Sequence, residues 1–310
     1  MTSPFGPLVV IANPRAGRGK AAAALPQLER VLRDEGLDYR IVRTTHPGHA
    51  TEAAHHALRN GERYLVAVGG DGTVHEVVNG MIRNGSPIAP DAVLAVVAAG
   101  SGCDFVRTFG LPGDAGPAAR RLAGDRVRVI DVGTVTCTDG ETTRTRYFVN
   151  IAEAGLGGAV VARTARLGRF LGGARYASGF WLTLPGFQPA PVRLDADGQV
   201  FGWRAFNVVV ANCRFYGGGM QISPKSDPGD GLLEVLVMTG PKSDAFATLP
   251  KVYRGTHLPH RNIAELRAGR IRLDREGPAG SASTRTGPSR SRRTGRWWAR
   301  RRCRSASFPV

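Results

Sequence analysis

Cysteine is scarce in this 310-residue chain, and it is never paired at short spacing. Cys103, Cys137, Cys213 and Cys303 form no CxxC, which speaks against both a zinc site and a disulfide framework. No apolar run approaches the roughly 18 residues that a membrane-spanning helix needs. The opening Met1-Thr2-Ser3-Pro4-Phe5-Gly6-Pro7 lacks the charged-then-apolar order of a secretory signal, so a cytoplasmic location is expected. No internal repeat is apparent. Acids are in the minority, with 25 Asp and Glu against 42 Lys and Arg, a net charge of +17. Much of that excess is local. Residues 281–310 hold nine arginines and no acid, and residues 1–280 carry only +8. A mildly basic body suits an anionic ligand or an anionic membrane surface without requiring either. A basic nucleic-acid-binding protein would rest almost wholly on the tail, so the body itself is expected to bind no nucleic acid.

What is present is a chain long enough for two cores, with 42% hydrophobic residues. Leu8 to Ala12 reads as a buried strand, followed by the loop Asn13-Pro14-Arg15-Ala16-Gly17-Arg18-Gly19-Lys20 and a helix from Ala21 to Glu35. Tyr39 to Arg43, Tyr64 to Val68 and Val93 to Ala98 are further strands, with helices over about Ala50 to Arg59 and Val74 to Ile82. Val74, Val77, Val78, Met81 and Ile82 recur at helical spacing and give that last helix one apolar face. Alternating strand and helix imply a parallel sheet with helices on both sides, and ligands bind such sheets at the carboxyl ends of the strands.

The grammar changes after about residue 125. Strands are expected over Val127 to Cys137, Thr143 to Ile151, Val192 to Leu194, Phe206 to Ala211, Leu232 to Met238 and Arg270 to Leu273. Turns fall at Asp139-Gly140 and Asp197-Gly198, and helices near 157–167 and 243–254. The expected organisation is an α/β domain over 1–129, a mainly β domain over 130–280, and a basic low-complexity tail over 281–310.

Three loops at the strand ends carry the chemistry. The first fails as a P-loop, because Pro14 and Ala21 stand where Gly and Ser or Thr are needed. It matches G-x-G-x-x-A only formally, with Gly17 too far from its strand for a dinucleotide fingerprint. A plain strand-to-helix turn is the alternative. Gly69-Gly70-Asp71-Gly72-Thr73 is more specific. Glycines admit a ligand close to the backbone, the next helix aims its first amides at the same point, and Asp71 can hold magnesium or accept a hydroxyl proton. Thr73 is also a natural helix N-cap. In the third loop, Gly100-Ser101-Gly102-Cys103-Asp104, Asp104 can pair with Asp71 around a hydrated metal or simply cap the segment at Phe105. His46, His49, His55 and His56 have no thiol or acid to complete a ligand set and read as surface residues. Asp195-Ala196-Asp197-Gly198 reads as a hairpin turn rather than a calcium loop. Arg163, Arg166, Arg169 and Arg175 beside Phe170, Tyr176, Phe180 and Trp181 read either as a solvated helix face or as a patch resting on anionic lipid.

Taken with Asp131-Val132-Gly133, Phe148-Val149-Asn150-Ile151, Ala211-Asn212, Gly217-Gly218-Gly219-Met220 and Asp230-Gly231-Leu232-Leu233-Glu234-Val235, these loops resemble the diacylglycerol kinase catalytic family, distant kin of NAD kinases and phosphofructokinases. The resemblance covers roughly residues 8 to 280. It implies an NAD kinase- or phosphofructokinase-like α/β domain and a β-rich lipid-substrate domain. It also implies ATP-dependent, Mg2+-dependent transfer of phosphate to a lipid hydroxyl, diacylglycerol or a related lipid alcohol, by a protein peripherally associated with an anionic membrane. By that resemblance Asn13, Pro14, Gly17, Thr45, Gly69, Gly70, Gly72, Thr73 and Ser101 would contact the nucleotide. Asp71 and Asp104 would be catalytic, and Asp230 with the backbone of Leu232 would hold a structural magnesium. Read without the resemblance, Asp227 to Gly231 is a tight turn before a strand. An NAD kinase is the competing reading, and the Asn150, Asn212 and Asp230 motifs favour the lipid branch. Nothing in the sequence excludes a homodimer.

The resemblance also sets a proton-accepting acid in an Asp-Gly-Glu triplet near the C-terminus, followed by a final strand packed on the first domain. Asp274-Arg275-Glu276 lacks the central glycine and comes one strand early. The arginine-rich ending that follows is what an out-of-frame reading of a GC-rich gene produces. The expectation is a chain whose usual proton acceptor is missing and whose activity is impaired.

Overall fold

The computed structural model describes residues 3–100, 102–139, 142–166, 174–275 and 296–309. Strand β1 (Leu8–Ala12) leads to α1 (Lys20–Asp34), β2 (Tyr39–Arg43), α2 (His49–Arg59), β3 (Tyr64–Gly69) and α3 (Asp71–Met81). The short hairpin β4 (Ile82–Arg83) and β5 (Ser86–Pro87) follows, then β6 (Val93–Ala98), α4 (Asp104–Thr108) and α5 (Ala115–Arg120). Strands β6, β3, β1 and β2 lie side by side in that order and are parallel. β1, β3 and β6 are buried along their whole length. Both faces are covered, which is why they read as unbroken apolar runs and not as alternating ones.

The two-residue period of a strand sorts those runs into two cores. Val9, Ile11, Leu65 and Ala67 face α2 and α3. Leu8, Val10, Tyr64, Val66 and Val68 face α1 and α5. The strand order reverses between β1 and β3. A crevice forms at such a reversal, outside the carboxyl ends of the strands, and the loops after β1 and β3 flank it.

Helix α3 starts three residues earlier than its apolar face suggests. Its N-cap is Gly70, so Thr73 lies inside the first turn and is not the cap. The second half of the glycine-rich motif is architectural. A Cβ on Gly80 would stand 2.3 Å from the carbonyl oxygen of Thr51 and 2.8 Å from Ala54, so the glycine lets α2 and α3 touch. Asn79 exchanges hydrogen bonds with the backbone of Tyr147, donating at 2.8 Å and accepting at 3.0 Å, and so ties α3 to the second domain.

That domain is β-rich, as expected. It contains β7 (Val127–Asp139), β8 (Thr142–Phe148), β9 (Ile151–Gly155), α6 (Leu156–Arg166), α7 (Ala174–Thr183), β10 (Ala190–Ala196), β11 (Gln199–Ala205), β12 (Asn207–Ala211), β13 (Leu233–Met238), α8 (Asp244–Tyr253), β14 (Ile263–Ala268) and β15 (Arg270–Arg275). β14, β13, β12 and β9 form an antiparallel sheet. It packs against β10 and β15 through Val192, Leu194, Val208, Val210, Val235 and Ile271. Asp197 and Gly198 make the β10–β11 turn with positive φ. The Asp197 carboxylate accepts from the amides of Gly269 and Arg270, each at 2.8 Å, so it is spent on backbone and not on calcium.

The tail divides. Residues 281–295 lie outside the described residues, whereas β16 (Arg296–Pro309) pairs with β15, β7 and, at Ser307, with Val93 of β6. One strand of the arginine-rich segment thus joins the sheets of the two domains.

Candidate functional site

Each loop predicted to contact the nucleotide lies at the carboxyl end of β1, β2, β3 or β6, because the four strands are parallel. Glycine shapes them through close approach. A Cβ on Gly69 would meet Thr73 Oγ1 at 2.3 Å, one on Gly100 would meet the Gly70 Cα at 2.4 Å, and one on Gly17 would meet the Ala99 carbonyl oxygen at 2.3 Å. The three loops therefore touch backbone to backbone. Gly17 additionally needs its positive φ of 58°. Gly72 has nothing within 4 Å of a Cβ and faces open space.

The other predicted nucleotide contacts lie around this junction. Asn13 Oδ1 accepts from the amide of Arg15 at 3.1 Å and turns the chain through Pro14. Thr45 Oγ1 lies 3.2 Å from His49 Nδ1 at the start of α2. Thr73 is buried, and its Oγ1 has no hydrogen-bond partner among the described residues. Ser101 lies outside the described residues.

The two acids are brought together. Asp71 Oδ2 accepts from the Asp104 amide at 3.2 Å and Oδ1 from the Phe105 amide at 2.9 Å, so Asp71 caps α4. Asp104 is 3% exposed, and its Oδ2 accepts from the Gly218 amide at 2.8 Å. Arg107 Nε stands 3.6 Å from Asp104 Oδ1, an oxygen without a hydrogen-bond partner. Burial raises the Asp104 carboxyl above its ordinary value. The amides of Gly218 and Gly219 oppose that shift and the Asp71 charge reinforces it. Both carboxylates converge on Gly102, whose Cβ would lie 3.1 Å from Asp71 Oδ2 and 3.4 Å from Asp104 Oδ2.

These acids open onto a cleft of about 450 Å³, whose far wall is Asn150, Ile151, Glu153, Gly157, Val161 and Tyr216 of the second domain. Glu153, Gly157 and Tyr216 also line a second, apolar cavity bounded by Leu156, Phe180, Phe206, Met220, Leu249 and Val252. Sequence reasoning passed over Glu153. Its signal was a lone acid inside the short strand Ile151-Ala152-Glu153-Ala154-Gly155, on a face otherwise fit for burial.

Asp230 and Leu232 do not join this site. Asp230 forms an ion pair with Arg267, which also holds Glu234 at 2.8 Å, and Asp230 Oδ1 accepts from the Leu232 amide at 2.8 Å. The turn before them is tied to β7, with the Gly231 amide on Asp131 Oδ2 at 2.9 Å and Arg128 on Asp227 at 2.8 Å. A guanidinium thus faces the carboxylate that a structural magnesium would need, and the ion would have to displace it. Asp274 pairs with Arg272 at 2.8 Å on β15. Glu276 lies outside the described residues.

The family model for the diacylglycerol kinase catalytic domain matches residues 7–135, and that for the YegS C-terminal NAD kinase beta sandwich-like domain matches residues 150–286. A Klebsiella pneumoniae protein named "Probable lipid kinase YegS-like" is 30% identical over 227 residues, 72% of each chain. The chain belongs to the diacylglycerol kinase catalytic family. A Bacillus subtilis protein named "Diacylglycerol kinase" is 29% identical over 271 residues, 86% of this chain and 84% of that protein. A solved diacylglycerol kinase structure from Bacillus anthracis str. Sterne superposes with a TM-score of 0.68 at 21% identity, covering 99% of this chain and 98% of that one, and so shares the fold. Membership makes the chain a phosphotransferase with an alcohol acceptor. The YegS-type match ends at residue 286, within the arginine-rich segment.

Proposed function

We propose that this kinase transfers the γ-phosphate of ATP to the hydroxyl of a lipid alcohol, diacylglycerol or a close relative. The observation that carries the reading is the shared wall. A cleft lined by the carboxylates of Asp71 and Asp104 meets an apolar cavity at Glu153, Gly157 and Tyr216. A lipid alcohol has the matching polarity, with a hydroxyl for the cleft and an acyl chain for the cavity.

The glycine junction suits phosphates, since it offers bare backbone next to the start of α3. Asp71 and Asp104 suit Mg2+, a hard cation usually held by one or two carboxylates together with substrate phosphates. Asp104 Oδ1, which accepts no hydrogen bond and which Arg107 approaches only at 3.6 Å, supports this fit. Bound there, Mg2+ would neutralise charge on the β- and γ-phosphates. Aligning the reactants and accepting the hydroxyl proton remain tasks for the protein.

Peripheral membrane association belongs to the same reading. Val161, Leu182 and Phe246 are large, apolar and exposed on α6, α7 and α8. Phe180, Ala245 and Leu249 of α7 and α8 line the cavity. Trp181 lies against Phe246 in a tilted ring contact, centroids 4.6 Å apart. An apolar rim around a lipid cavity is suited to contact with a bilayer surface.

The test offers the full chain MgATP with dioctanoylglycerol or with NAD and reads the products by mass spectrometry. Phosphatidic acid is expected. NADP as the sole product would overturn the reading.

A further inference from the structure

Glu153 stands at the boundary between the cleft and the cavity, and its surroundings fix it. On β9 it lies opposite Val209 of β12. Asn207 Nδ2 donates to its Oε1 at 2.5 Å. The Asn207 Oδ1 accepts from the Gly157 amide at 3.2 Å, which sets the amide orientation so that the NH2 must face the acid. The Tyr216 hydroxyl supplies a second hydrogen bond to Glu153. A Cβ on Gly157 would lie 1.9 Å from both Cδ and Oε2 of Glu153, so a larger residue there would push the carboxyl out of this position. Two donors and a missing side chain therefore hold one carboxyl with part of its surface open to the cleft.

A structural role alone explains this poorly. A carboxylate is costly to bury, and a neutral amide would serve Asn207 and Tyr216 as well. Burial pushes the Glu153 carboxyl up to about 7, with the hydrogen bonds from Asn207 and Tyr216 opposing the shift. Such a group exchanges its proton near neutral pH, as a general base must. Asp71 and Asp104 are poorly suited to that task, since amides occupy both oxygens of the first and one of the second.

We propose that Glu153 is the proton acceptor for the lipid alcohol, holding the acceptor hydroxyl at the junction of cavity and cleft. The proposal rests on the reading of the apolar cavity as the lipid site. In the step, the hydroxyl O–H bond breaks and its proton passes to the Glu153 carboxylate. The electron pair left on oxygen forms the bond to the γ-phosphorus of ATP, and the bond from that phosphorus to the bridging oxygen breaks as ADP leaves. An acid supplied from β9 would stand in for the usual proton acceptor, which the sequence leads one to expect missing from the C-terminal segment.

The test compares binding of dioctanoylglycerol with that of its 3-O-methyl ether, which keeps the acyl chains and loses the hydroxyl proton. The wild-type chain should prefer the alcohol by about tenfold or more at pH 8, because hydrogen bonds to a charged acceptor are the strong ones. The preference should shrink as the pH falls to 6 and Glu153 becomes protonated. The other ionisable groups facing the two spaces are Asp71 and Asp104 in the cleft, Lys242, Asp244 and His260 in the cavity, and Tyr216 between them. Glu153→Gln isolates the effect. It should bind the ether as tightly as wild type, lose the pH-dependent preference, and transfer phosphate at least about a hundredfold more slowly with unchanged ATP affinity. Glu153→Asp should keep a pH-dependent preference. An alcohol-to-ether ratio that is independent of pH in the wild-type chain, or unchanged in Glu153→Gln, overturns the proposal, as does full turnover by that variant. If the wild-type chain binds neither lipid, the cavity reading itself falls, and the loss of ether binding distinguishes that failure from the first.

Discussion

Asp71 accepts the backbone amide of Asp104, so the acid of one glycine-rich loop caps the helix that carries the acid of the next. The contact joins two segments 33 residues apart and sets the distance between the two carboxylates. Asp71→Ala should therefore lose both stability and activity. Loss of a cap predicts about 1–2 kcal/mol in urea denaturation, together with loss of phosphoryl transfer. Asp71→Asn, which retains one acceptor oxygen, should recover much of the stability and none of the activity. Unchanged turnover in Asp71→Asn would remove Asp71 from the reaction.

The glycines of the junction should separate by what lies in front of them. In Gly100→Ala the new Cβ meets the Gly70 backbone at 2.4 Å, a contact that no side-chain rotation relieves. ATP binding measured by calorimetry should weaken by tenfold or more, about 1.4 kcal/mol. Gly72→Ala meets no atom within 4 Å in the protein, so its melting temperature should stay near that of wild type. Any loss of ATP affinity in Gly72→Ala would then report on the ligand and not on the fold.

Stability should respond to pH through Glu153. Its folded-state value lies near 7, above the ordinary 4.5, so the folded chain binds the proton more tightly than the unfolded chain. That contribution is fully present below about pH 4.5 and is lost as the pH rises through 7, at most about 3 kcal/mol by linkage. Asp104 shifts in the same direction, so the informative quantity is the difference between wild type and Glu153→Gln. Urea titrations from pH 5 to 8 should show wild type losing ground steadily against the variant. Parallel curves would mean that Glu153 titrates at its ordinary value.

The Asp230 cluster is a predicted metal site whose carboxylate is paired with Arg267. Millimolar Mg2+ without nucleotide should leave the melting temperature of wild type unchanged. In Arg267→Gln, Asp230 and Glu234 lose their cation, and the same Mg2+ should raise the melting temperature by a few degrees, about 1 kcal/mol of linked binding. A Mg2+-dependent rise in wild type alone would restore the metal to this position.

Much of this was legible in the sequence because it is local. Unbroken apolar runs marked β1, β3 and β6 as covered on both faces, and the glycine-rich loops followed from the steric demands of close backbone approach. Parallel strands then send all of those loops to one edge. Other features arise only when distant segments meet. Asn207 is 54 residues from Glu153, and Arg267 is 37 residues from Asp230. A lone acid in a strand does not announce whether it will face solvent, a metal, an arginine or a lipid. Its neighbours in space decide the charge it keeps, because burial and hydrogen bonding act through distance and not through chain order. Residues 296–309 make the same point, since composition alone reads them as a tail while backbone pairing joins them to both domains. Sequence alone pointed to the family and the parallel sheet, and offered Asp104 either as a partner of Asp71 or as a helix cap. Tertiary structure decided which further carboxylates are spent on cations and backbone amides, and which one stands between the cleft of Asp71 and Asp104 and an apolar cavity.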